Sequence, residues 1–222
     1  MMATELRGAQ RDMTAEKQAY HHGDLQAALL DAALDVISEI GPQGLTIREV
    51  ARRAGVSHAA PYRHFTDKNE LILAVVERGF ELMQQTMQAE QAAAKGDPMS
   101  QFAASGLSYV NFALQHPAYY RIMFSGDLLS STGNVSLQHT GQDALDEMVA
   151  GITGCQELGI VRPGNPVTQA LAIWSTIHGF VSLVNDNRIE HLIEDQASLD
   201  AIRDAVLPMI FQGLGVDPDS AR

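Results

Sequence analysis

LTIREVARRAGVSHAAPYRHFTDK, residues 45–68, holds three helix-start signals and one enforced turn. Thr46 and Glu49 have capping-box spacing. Behind them Ile47, Val50, Ala51 and Ala54 fall on one helical face, which leaves Arg48, Arg52 and Arg53 for the outer surface. Gly55 follows, where a chain leaving a helix often needs a left-handed residue. Ser57 then reads as the cap of a short third helix running to about His64. Pro61 sits near its fourth position and removes the first backbone bond, which predicts a short, partly irregular element. Asp67 and Glu70 repeat the capping-box spacing and open a fourth helix. The stretch carries five Lys/Arg (Arg48, Arg52, Arg53, Arg63, Lys68) against Glu49 and Asp67, a local balance of +3. A compact, locally basic helix-turn-helix has the form that duplex DNA recognition requires.

The rest of the chain has the opposite charge. The formal net charge of the 222 residues is −12. Residues 1–70 hold eight Lys/Arg and ten Asp/Glu (−2), and residues 71–222 hold seven and seventeen (−10). Such a body is repelled by a phosphate backbone and should stand off from it. It also lacks the broad basic surface that nonspecific coating of nucleic acid needs. With 45% hydrophobic residues, the chain can bury a real core. The single cysteine, Cys155, rules out an intrachain disulfide and a Cys-based zinc site, and reads as a structural thiol. The N-terminus has no apolar signal core. Residues 163–185 lack Asp, Glu, Lys and Arg, but Pro, Gly, Asn and His interrupt the apolar run, so a buried helix rather than a membrane span is expected, in a cytoplasmic protein.

The pattern is helical throughout. Residues 1–20 read as a flexible arm, 21–68 as the helix-turn-helix domain and 69–222 as a second helical domain. The first helix is predicted from Asp24 to Ile40, with Leu25, Leu29, Ala32, Ala33, Val36, Ile37 and Ile40 on one face. The fourth should run from Asp67 to near Lys95, followed by helices at about 99–115, 117–124, 135–158, 167–187 and 198–213, the last bent at Pro208. A loop is expected at 125–134. No period-two alternation marks a strand, so the fold class is all-α with about nine helices.

A major groove about 12 Å wide admits one helix. The third helix suits it: Ala59 and Ala60 are small, and His58, Tyr62, Arg63 and His64 supply donors. Thr46 and Lys68 start helices whose backbone N–H groups favour phosphate oxygens. Phe65 reads as core and Tyr62 as a phosphate contact. Beyond this local pattern, residues 20–83 resemble the N-terminal domain of the TetR family of bacterial transcription regulators. The first helix, T-x-R-E-V-A-x-x-A-G-V-S, Y-R-H-F and D-K-x-E-L follow one another in the family's order. That resemblance implies base or phosphate contacts from Thr46, Arg48, Ser57, His58, Ala59, Tyr62, Arg63 and His64, with Lys68 on phosphate. Pro61-Tyr62-Arg63-His64-Phe65 departs from the Tyr-Tyr-His/Tyr-Phe series of many relatives.

Helices beyond the first three must do something else. HPAYYRIMFSGD (116–127) and WSTIHGF (174–180) resemble the WHG-type C-terminal domain of a TetR subgroup. The helix at 167–187 is apolar on two faces, one for its own core and one for another subunit. With 198–213 it forms the expected homodimer face, and two reading helices related by a two-fold match a palindromic operator. Candidate lining for a small apolar effector comprises Phe102, Tyr109, Phe112, Tyr120, Met123, Phe124, Trp174 and His178, each of which also fits a core role. His116, His139 and His191 lack metal-ligand spacing, and no cofactor is expected. No nucleophile elbow, phosphate loop or metal motif points to an enzyme. A ligand-responsive repressor is the leading expectation. An all-helical small-molecule, lipid-binding or protein-interaction module without DNA binding is the alternative.

Overall fold

A computed structural model of the chain describes residues 25–94, 96, 98–125 and 135–213. The expected arm at 1–20, the Asp24 cap and nearly all of the 125–134 loop lie outside these residues. The described elements are helical: α1 (25–40), α2 (Ile47–Arg53), α3 (Lys68–Ala93), α4 (Pro98–Gln115), α5 (Pro117–Met123), α6 (Val135–Glu157), α7 (Pro166–Asn185) and α8 (Gln196–Gly213). Short 3-10 turns stand at Pro42–Gly44, Pro61–Arg63 and Glu190–Leu192. The chain divides into two compact units, one up to Val76 and one from Glu77 onward, and α3 supplies residues to both.

The first unit closes around Leu29, Ala33, Val36 and Ile37 of α1, Leu45, Val50 and Ala51 of α2 and its approach, Phe65, and Leu71, Ile72 and Val75 of α3, all buried. Full burial of each larger side chain is worth roughly 1.5–3 kcal/mol against exposure. Ile40, expected inward, is instead exposed at the end of α1. Helix α2 begins as its sequence requires: the Thr46 hydroxyl accepts the Glu49 N–H at 3.1 Å. It ends on Gly55 at φ +68°, with the Val56 N–H bonded to the Ala51 carbonyl at 3.0 Å and the Gly55 N–H to Arg52 at 3.3 Å. This 6→1 plus 5→2 pairing is the Schellman motif. Gly159 and Asn187, also at positive φ, end α6 and α7 the same way.

The predicted third helix is not an α-helix. After Gly55 the chain forms a turn and then the 3-10 segment Pro61–Arg63. Pro61 has no N–H to offer the Ser57 carbonyl, which takes the Ala60 N–H at 3.0 Å instead. Arg63 and His64 continue with i→i+3 bonds to Ala60 and Pro61 at 3.2 and 2.9 Å. Ser57 therefore serves through its carbonyl rather than as a side-chain cap. At the start of α3, Asp67 accepts the Asn69 and Glu70 N–H groups at 2.7 and 3.0 Å. Glu70 does not return to Asp67. Its carboxylate takes the N–H and hydroxyl of Thr66 at 2.5 and 2.6 Å.

The first unit is pinned by charge across sequence distance. The Arg53 guanidinium reaches Glu39 of α1 at 2.6 and 2.5 Å and Glu49 of its own helix at 3.1 Å. Glu49 also binds Arg52 at 2.8 and 2.6 Å. Hydrogen bonds from Arg52 and then Arg53 hold the Glu49 carboxyl down to about 2.

In the second unit, α4 packs against α5, α6, α7 and α8, and α7 against α6 and α8. Asn165 caps α7 by accepting the Val167 and Thr168 N–H groups at 3.0 and 3.3 Å, with Pro166 at the first position. Asp195 caps α8 through the Ser198 N–H at 2.8 Å. Gly79 lets α5 approach α3: a β-carbon there would lie 2.7 Å from the Met123 sulfur. By length and composition α7 could cross a membrane, a test that the core helix of a globular protein also passes.

Two outcomes follow from these local devices. The space beside Gly55 is open, so Gly55→Ala meets only backbone strain. Urea unfolding should show a loss of about 1 kcal/mol, and an unchanged midpoint would contradict the motif. The Glu49 carboxyl is depressed below its unfolded value of about 4.3. Its stabilisation is therefore present in full above about pH 5 and fades as pH falls toward 2. The stability gap between wild type and Glu49→Gln, followed by acid titration, should close over that window. A gap independent of pH would remove the ion pairs from the account.

Candidate nucleic-acid interface and effector site

The segment from Ser57 to His64 runs outward over the buried Pro61 and Phe65. Ser57, His58, Ala59, Tyr62 and Arg63 are exposed, Tyr62 by 60%. A tyrosine presented this far is not packing a core, and its hydroxyl is available to a partner. His64 is half-buried and leans toward Phe65, with ring centroids 6.3 Å apart. Thr46 and Arg48 stand exposed at the start of α2. Phe65 is core, as its spacing indicated.

The cations of the stretch are not equivalent. Arg52 and Arg53 are bound to carboxylates. The Lys68 ammonium donates to the Gln43 carbonyl at 3.3 Å, tying α3 to the turn before α2. It keeps two further donors. Arg48 and Arg63 take no side-chain partner among the described residues. The positive charge open to a phosphate is thus concentrated at these two exposed side chains. Glu39 and Gln43, which fix the edge from behind, were not singled out by sequence. They lie 14 and 25 residues from their partners, and no local pattern marks such pairs.

In the second unit, five of the eight effector candidates meet. Tyr120 and Phe124 of the α5 end pack at a tilt with centroids 4.9 Å apart, and Phe124 lies 4.9 Å from His178 of α7. Tyr109 of α4 packs edge-on to Tyr120 at 6.2 Å, and Trp174 lies 5.6 Å from His178. Phe80 of α3 joins through Phe124 at 6.0 Å. The Tyr120 hydroxyl is 2.6 Å from His178 Nδ1, and the Tyr109 hydroxyl is 3.1 Å from the same atom. Burial pushes the Tyr109 phenol well up and holds the His178 imidazole below its usual value. Tyr109 and Tyr120 are buried, whereas Phe124, Trp174 and His178 are partly exposed.

The other three candidates sit elsewhere. Phe112 is fully buried against His116, at 5.1 Å. Met123 fills the gap at Gly79, and Phe102 lies where a β-carbon on Gly151 would fall. Each lies on a helical face facing inward, and that was all their spacing could say. Ser182, 3.5 Å from the Tyr120 hydroxyl, was missed, since one serine in an apolar helix gives no signal.

Comparison with known proteins agrees with this architecture. The family model of bacterial regulatory proteins, tetR family, matches residues 29–75, and that of the tetracyclin repressor-like C-terminal domain matches residues 102–206. A protein with unknown function from Rhodococcus sp. RHA1 is 30% identical and superposes with a TM-score of 0.72, over 89% of this chain and 98% of that one. A TetR family transcription regulator from Marinobacter aquaeolei VT8 is 14% identical, with a TM-score of 0.69 over 88% and 98% of the two chains. AibR, solved in complex with isovaleryl coenzyme A and operator DNA, is 18% identical, with a TM-score of 0.67 over 84% and 98%. An exposed helix-turn-helix edge, an all-helical second unit with a WHG-type C-terminal match, and these likenesses together place the chain in the TetR family of transcription regulators, with one DNA-binding and one ligand-binding domain.

Proposed function

We propose that this regulator is a homodimeric repressor that reads a palindromic operator and leaves it when a small apolar effector enters the second unit. The observation that carries this reading is the exposed edge Ser57, His58, Ala59, Tyr62 and Arg63, braced by Phe65 beneath and by the Arg53–Glu39–Glu49 ion pairs behind. Ala59 lets the backbone come close to the groove. Tyr62, Arg63 and His58 supply donors for base edges and phosphates, while Thr46, Arg48 and Lys68 contribute positioning contacts.

One such edge reads few base pairs, so recognition calls for a symmetric pair. The surface of α7 suits one. Val167, Leu171, Ser175, Gly179 and Leu183 follow one another at i+4 along it, and Val167, Leu171 and Leu183 are 45%, 42% and 47% exposed. Met209 of α8 is more exposed still. Large side chains flanking small ones favour close helix packing across a two-fold axis. AibR, which shares the fold, was solved with both an acyl thioester and operator DNA, and this supports an effector carrying an apolar group. In our reading, the effector displaces Phe124 and its neighbour Phe80 on α3, and α3 carries the change toward the reading edge. The effector must then favour the spacing that DNA does not.

Arg63→Ala should weaken binding to a selected operator duplex by about 1–3 kcal/mol, and Arg48→Ala should lower the salt dependence by roughly one counterion. Binding unaffected by both would favour a module that does not read DNA. Leu171→Glu with Leu183→Glu should convert the dimer to a monomer in sedimentation and abolish operator binding. A dimer surviving both changes would place the interface elsewhere.

A further inference from the structure

Two phenols point at one nitrogen. His178 Nδ1 can accept one strong hydrogen bond or donate one, but Tyr120 lies 2.6 Å from it and Tyr109 3.1 Å. The 2.6 Å separation is short for a bond between a neutral N–H and a neutral oxygen and lies within the range of hydroxyl donors. Tyr120 O–H therefore donates and Nδ1 accepts. An imidazole accepting at Nδ1 while neutral carries its proton on Nε2. That proton meets no partner among the described residues. The ring is partly exposed, with Trp174, Phe124 and Tyr120 around it at 5.6, 4.9 and 5.3 Å.

The surroundings decide what can answer this donor. Among the described residues, no Lys or Arg side chain is hydrogen-bonded or ion-paired to Tyr109, Tyr120 or His178, and the Asp186 carboxylate acts to raise the Tyr120 phenol. A carboxylate or phosphate would enter a desolvated cluster without a counter-ion, which is costly. A cation would meet the positive end of the Nε2–H bond. An uncharged oxygen acceptor on an apolar chain satisfies the donor and leaves the aromatic faces covered by hydrocarbon.

We propose that His178 Nε2–H is the specificity-determining donor of the effector site, and that it selects an apolar ligand bearing an uncharged carbonyl or ester oxygen over anions and cations of the same length. This rests on the effector reading above and names its ligand class. Tyr120 acts as a positioning residue, because it fixes which nitrogen of the ring carries the proton.

Trp174 is the only tryptophan in the chain, so its emission reports on the cluster directly. Three probes of equal chain length are titrated into the full-length protein: methyl octanoate, octanoate and octyltrimethylammonium. Methyl octanoate should shift or quench the emission and bind at least about tenfold more tightly than either ion. His178→Phe should lose about that factor for the ester alone, and His178→Gln, which keeps an N–H donor, should recover much of it. Tyr120→Phe, which leaves the ring unmoved but frees its tautomer, should weaken the ester several-fold and serves if His178→Phe does not fold. An ion binding as well as the ester, an ester indifferent to these changes, or no response to any probe overturns the proposal. Operator affinity measured without probe on the same samples separates this from the wider reading: intact DNA binding with silent probes sinks only the ligand class, and absent DNA binding sinks the regulator reading itself.

Discussion

Arg53 bonded at once to Glu39 and Glu49 is the constraint on which the first unit depends. Its partners belong to two helices, so the planar guanidinium fixes the angle between them through bonds on more than one of its edges. All three groups are close to solvent, and their value lies in geometry more than in net stability. The chain leaving α2 through Gly55 inherits that angle. The segment that follows is too short and too irregular to orient itself, having only the buried Pro61 and Phe65 as anchors. Moving the pair of helices therefore moves the exposed edge.

The same arrangement distributes charge. Three of the five cations that make residues 45–68 basic are engaged inside the protein, two with carboxylates and one with a carbonyl. The surface left for phosphate is narrower than the count of basic residues suggests. Against a chain of net charge −12, a narrow positive edge favours one docking orientation and disfavours sliding contact elsewhere. An acidic body and a small basic edge thus work toward the same end.

Much of this was legible from residue order. Helix boundaries followed from Thr46, Asp67 and Gly55, because caps and left-handed exits are local chemistry. The all-helical class followed from uninterrupted 3.6-residue periodicity. The element at 57–64 was harder to read: Pro61 announced irregularity, but only the hydrogen bonds show that every turn there closes at i→i+3 until Phe65. Periodicity also separates inward from outward faces without saying which inward residues meet. Tyr109, Tyr120, Phe124, Trp174 and His178 converge, while Phe102, Phe112 and Met123, equally inward by spacing, fill other gaps. Glu39 and Gln43 were illegible because their partners are far along the chain. Ile40 was misassigned because a helix end can turn its last apolar residue outward at small cost.

The account stands on paired copies of one exposed edge lying in successive major grooves. Hydroxyl-radical footprinting of the intact protein on a duplex selected from genomic fragments tests this most directly. The account predicts two symmetric protected patches about 34–36 Å apart, centre to centre. A single patch, uniform protection, or none on any selected duplex would contradict it.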